Sequence, residues 1–196
     1  MGLSLSIFDQ PVKTDPRSPE PGALELAECF NLVFDDPSSA GYCMTRVETG
    51  ASEPYYRAWQ RSPCEREITP AILYSRDDYP ASVLHEAAHW TRAGLARRCI
   101  DDFGYWYHPE GRTESEQQAF YEVERIPQAL ECLFSRAAGL SFKPSYDDFS
   151  QEPASARARA DFARSVEATV SSMLSGGTKI PHRARLFINA LAERRR

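Results

Sequence analysis

The stretch SVLHEAAHWTRAG, residues 82–94, constrains this chain more than any other. It sets His85 and His89 four residues apart with Glu86 between them, and so puts half of the chain's four histidines on one turn. Residues four apart on a helix project from one face, so both imidazoles can reach a single cation. Val83, Leu84, Ala87 and Ala88 flank the pair, which requires part of this helix to be buried. A buried histidine without a partner is costly, and a metal ion satisfies both rings at once. The plainer reading is two hydrogen-bonded histidines with Glu86 as their partner. H-E-x-x-H on a helix is a recognised metal signature, and it outweighs that reading.

The rest of the chain supplies a frame for such a helix. Residues 9–22 hold four prolines and no apolar period, so 1–22 reads as a flexible leader, with one domain over 23–196. ALELAECFNLVF, residues 23–34, has helical spacing and is ended by DDPSSAG. YCMTRVET, PYYRAW and ITPAILYS read as short strands, with Pro70 limiting the pairing of the last. The H-E-x-x-H helix is expected from about Ala81, just after Pro80, to about Arg98. DDFGYWYHPEGR reads as a loop or short hairpin dense in aromatics. Thr113 with Glu116 forms a capping box opening another helix, which Pro127 is expected to break or kink and Gly139 to end. Two further helices are expected over 154–174 and 182–194. The order implies an α+β fold, mainly helical, with one small sheet drawn from residues 42–75.

Composition narrows the function classes. A net charge of −5 leaves no basic footprint for direct nucleic-acid binding. No apolar run reaches membrane-spanning length, and the first residues lack the pattern of a secretory signal. MGLSLS fits the loose myristoylation pattern, which is short and common. The five cysteines are odd in number and include no C-x-x-C pair, so they read as free thiols in a reducing, cytoplasmic setting.

A third ligand has to come from elsewhere. His108, His182, Asp101, Asp102, Glu122 and Glu124 are available. Glu122 and Glu124 stand just before Pro127, where a bent turn re-aims side chains, and Glu124 is the choice. Glu122 lies about 200° away around the helix, so only one of the two faces the ion, and a solvated acid is the plain alternative for either. With zinc, two histidines and a glutamate form a peptidase-like set in which Glu86 acts as general base. With iron, the same set leaves positions open for oxygen and substrate. Spacing does not choose between them.

The longer strings do. HEAAHWTRAGLARR, DFGYWYHPEGR and EVERIPQALE, with FINAL near the C-terminus, resemble the bacterial elongation factor P hydroxylase family over most of 23–192. The resemblance implies a fold closer to zincin-like metal-dependent hydrolases than to jelly-roll hydroxylases. It implies Fe(II) held by His85, His89 and Glu124, molecular oxygen as cosubstrate, and β-lysylated elongation factor P as partner. Glu86 falls on the intervening catalytic acid. HPEG departs from the family pattern, so His108 is not expected as an essential ligand. A substrate arm ending in ammonium groups needs acids and aromatic faces, and Asp101, Asp102, Tyr105, Trp106 and Tyr107 offer both. A packed hairpin core is the plain alternative for the aromatics. Arg112 is expected to pair with Glu114 or Glu116, or to steady a ligand acid.

Overall fold

The computed structural model of the chain describes residues 20–41, 44–61, 68–104, 112–147 and 153–195. Most of the proline-rich leader, the residues Tyr105, Trp106, Tyr107 and His108, and two of the cysteines, Cys43 and Cys64, lie outside the described residues.

Helix α1, Ala23–Phe34, follows Gly22, whose N–H donates to the Glu25 carboxylate at 2.9 Å. The turn expected after it closes into one helical turn, α2, Pro37–Ala40, ended by Gly41 in the left-handed region. Strands β1 (Thr45–Ala51), β2 (Tyr55–Arg57) and β5 (Ala71–Arg76) form a sheet in the order β1-β5-β2. β1 runs parallel to β5 with Thr45 opposite Ala71, and β2 runs antiparallel to it with Tyr56 opposite Leu73. Strands β3, Gln60–Arg61, and β4, Ile68–Thr69, make a separate two-stranded ribbon. The single strand expected in ITPAILYS is therefore two, parted at Pro70, which has no N–H to continue a ladder.

Helix α3, Pro80–Arg92, is shorter than the sequence suggests. Ala93 turns to φ −60°, ψ 130° and Gly94 follows, so the remainder becomes a separate turn, α4, Leu95–Arg98. Arg183, from α7 (His182–Arg194), donates to the carbonyls of Trp90, Thr91 and Ala93 at this end of the helix. Its guanidinium also lies 5.0 Å from the Trp90 ring, with Arg98 5.5 Å away from the same ring. A cation is favoured at a helix C-terminus, and here it closes the helix that carries both histidines.

Helix α5, Glu114–Ala138, opens on the Thr113–Glu116 capping box and ends at Gly139 with φ 80°. The expected break at Pro127 is absent, since α5 runs through it as one helix of 25 residues. Proline removes one donor but does not end a helix whose buried face is held by neighbours. Helix α6, Pro153–Leu174, and α7 complete the chain as expected. Phe30, Phe34, Trp90, Phe134 and Phe187 pack ring to ring behind α3, with centroids 4.6–5.3 Å apart along the chain of contacts. These rings join α1, α3, α5 and α7 in one apolar cluster with the sheet residues Val47, Tyr56 and Leu73. The fold is thus mainly helical with a small mixed sheet. Among the described residues no helix is long and apolar enough to cross a membrane.

Candidate metal centre

Helix α3 buries Val83, Leu84, Ala87, Ala88 and Trp90 completely against the core. That choice of inner face leaves His85, Glu86 and His89 half-buried on the other side, where they line a cavity of about 760 Å³. Helix α5 crosses there with Glu124, only 6% exposed, and Gln128.

His85, His89 and Glu124 converge. The two Nε2 atoms are 3.1 Å apart. Glu124 Oε2 lies 3.6 Å from His85 Nε2, and Oε1 lies 3.3 Å from His89 Nε2. Metal–ligand bonds of about 2.1 Å at octahedral or tetrahedral angles set donor atoms about 3.0–3.4 Å apart. The three separations fall on that scale or just above it. Two facing neutral imidazole nitrogens share at most one proton, and the buried Glu124 Oε2 has no hydrogen-bond partner. A shared cation answers all of these deficits, so the donor set fits a divalent metal. Among the described residues this is the one group of histidines, cysteines and acids close enough to hold an ion.

The electrostatics agree. Burial disfavours the charged His85 ring, but Glu131's hydrogen bond and charge, helped by Glu124 and Glu86, lift its pKa to about 10. Burial raises Glu124 as well, yet the facing His89 and His85 rings reverse this and hold it at about 2. Burial raises Glu86 above the usual carboxylate range, with the two rings pulling the other way. The plainer sequence reading gave Glu86 to the histidines as hydrogen-bond partner. The acids that touch them are Glu124 and Glu131.

The other candidates separate. Glu122 is exposed and pairs with Arg125 at 3.8 Å on the outer side of α5. His182 is exposed at the start of α7. Asp101 and Asp102 lie in a 3-10 turn and reach the outer edge of β2. Asp101 Oδ1 accepts from the Ala58 N–H at 2.8 Å and Oδ2 from the Tyr55 hydroxyl at 2.9 Å. Asp102 Oδ1 accepts from the Tyr56 N–H at 2.9 Å. The two carboxylates thus take the place of a missing neighbouring strand, and Asp102 and the next residue, Phe103, hold positive φ to bring this about. Of the pair, Asp102 also lines the cavity. Arg112 pairs with Asp147 at 2.7 Å and donates to Gln117.

Two features escaped the sequence reading. Glu131 accepts from His85 Nδ1 at 2.9 Å. Gln128 clamps the backbone of Ser145 in both directions, at 2.7 and 3.0 Å, and so pins residues 145–147 along the cavity wall. The available signal was spacing, since 124, 128 and 131 share one helical face and polar groups recur there inside an apolar run.

The family model described as elongation factor P hydroxylase matches residues 30–195. A curated relative, the elongation factor P lysine hydroxylase of Haemophilus influenzae, is 37% identical over 129 residues, which is 66% of this chain and 67% of the relative.

Proposed function

The chain belongs to the elongation factor P hydroxylase family, and on that premise we propose that it hydroxylates the β-lysylated lysine of elongation factor P at an Fe(II) centre. His85, His89 and Glu124 hold the ion, and their convergence on one face of the cavity is the observation that carries the reading. A two-histidine, one-carboxylate face suits iron and leaves coordination positions for oxygen and substrate. When bound, the ion supplies activation of molecular oxygen and the attack on an unactivated C–H bond.

The protein's own groups do the rest. Asp102 and Glu53 give the cavity negative charge, and Tyr55, Phe103 and Phe120 give it aromatic faces. This lining suits a long arm ending in ammonium groups. Arg112, the cation deepest in this wall, is neutralised by Asp147 and does not oppose such an arm. Glu86, whose carboxyl burial pushes above the usual carboxylate range, lines the same cavity and can hold or pass a proton there. The kinship with zincin-like hydrolases, expected from the H-E-x-x-H helix, belongs to this same proposal.

The test is mass spectrometry of β-lysylated elongation factor P after incubation with iron-loaded protein, oxygen and a chemical reductant. The expected result is a gain of one oxygen atom on the modified lysine. No gain with the metal fully bound overturns the reading. Cleavage of a peptide library by zinc-loaded protein, abolished by Glu86→Gln, would replace it with a hydrolase.

A further inference from the structure

Glu131 is a buried acid in unpromising surroundings. It is 6% exposed, and its neighbours Leu130, Leu133 and Phe134 are wholly buried. An ionised carboxylate in such a place is costly unless a charge or strong donor meets it. An apolar side chain of similar volume would serve packing alone at least as well. What meets this carboxylate is His85 Nδ1, 2.9 Å from Oε2 and 46 residues away in sequence. The opposite edge of the same ring faces His89 and Glu124. One helix therefore grips His85 from both sides. Glu124 and Glu131, seven apart, point within about 20° of each other on α5.

We propose that Glu131 is the positioning residue of the metal centre. Its carboxylate accepts the Nδ1 proton of His85, fixes the ring as the tautomer whose Nε2 lone pair faces the ion, and makes that nitrogen the stronger donor of the two histidines. The inference rests on reading this cluster as a metal centre. The chemistry is that of a carboxylate behind a ligating imidazole, where the outer acid sets ring orientation and raises ligand basicity. Among the described residues His89 has no second carboxylate behind it, so the two imidazoles are not equivalent.

The experiment is titration of metal-free full-length protein with zinc(II) and with cobalt(II), followed by calorimetry and by the cobalt absorption spectrum. Glu131→Gln keeps the shape but removes the charge, and it is expected to weaken both ions by about 10–100-fold. Glu131→Asp keeps the charge on a shorter arm and is expected to recover part of that loss. A wild-type measurement stands beside these. In the zinc-loaded protein the His85 Nδ1 proton should appear by nitrogen-15 NMR as a downfield signal slow to exchange with solvent. Unchanged affinity in Glu131→Gln, or an Nδ1 of His85 without its proton, overturns the proposal even if a variant folds poorly. Wild-type protein that binds neither ion overturns the metal reading itself. Wild-type protein that binds both while Glu131→Gln matches it overturns the role of Glu131 alone.

Discussion

Arg92 donates from its guanidinium to the carbonyl of Val123 at 3.3 Å, joining the helix of the histidines to the helix of Glu124. Val123 stands four residues before Pro127, which has no N–H to offer its carbonyl. The proline thus leaves an acceptor one residue from Glu124, and the neighbouring helix fills it. Arg92→Ala is expected to cost about 0.5–1.5 kcal/mol of stability. Pro127→Ala restores the helical donor, so the same substitution should cost much less in that background. Chemical denaturation of the four proteins measures the coupling, and equal costs in both backgrounds would rule out the link.

Each of His85→Ala, His89→Ala and Glu124→Ala should lose most of its metal, read as iron or zinc per chain after purification. Glu122→Ala should keep full occupancy, because its carboxylate points outward beside Arg125. The reverse pattern for the two glutamates would assign the third ligand to Glu122.

The pH dependence has a definite sign. In the metal-free chain His85 titrates at about 10, above its ordinary 6.5. The charged ring therefore stabilises the metal-free fold fully below pH 6.5, and that contribution fades as pH rises through 10. Glu124 runs the other way, from an ordinary 4.5 down to about 2, so its contribution is present above pH 4.5 and is lost as pH falls through 2. An incoming ion must displace the His85 proton, so affinity should climb about tenfold per pH unit between neutrality and pH 10. Zinc titrations at stepped pH check this, and a flat affinity across that window contradicts it.

Asp101 and Asp102 should part company under mutation. Asp101→Ala frees the Ala58 N–H and the Tyr55 hydroxyl, and a loss of about 1–2 kcal/mol is expected, seen as a lower thermal midpoint. Asp102→Asn keeps an acceptor for the Tyr56 N–H while removing charge from the cavity. Its stability should hold while KM for the modified factor rises. A large stability loss with unchanged KM would confine Asp102 to the strand edge.

The histidine pair, the capping box at Thr113 and the ends of α1, α6 and α7 were legible because each depends on local spacing and turn chemistry. Glu124 was picked out by its place before Pro127, although the helix is not broken there. Packing against α3 and α6 outweighs one missing hydrogen bond, and a one-dimensional pattern does not weigh that contest. The end of α3 at Arg92 was missed for a related reason. Gly94 alone is a weak stop, and the group that secures it, Arg183, comes from a helix some 90 residues later. Glu131 was illegible in kind, since a lone acid in QALECLF acquires meaning only beside a ring from another helix.

The cluster is assembled from α3 and α5, with His85 and its outer acid Glu131 46 positions apart. A ribosome delivering this chain therefore releases the imidazoles well before the carboxylates that complete the cage. Until α5 has emerged and docked, the nascent segment offers only the two imidazole nitrogens of the cluster. The order of synthesis thus leaves the three donors unassembled until the two helices meet.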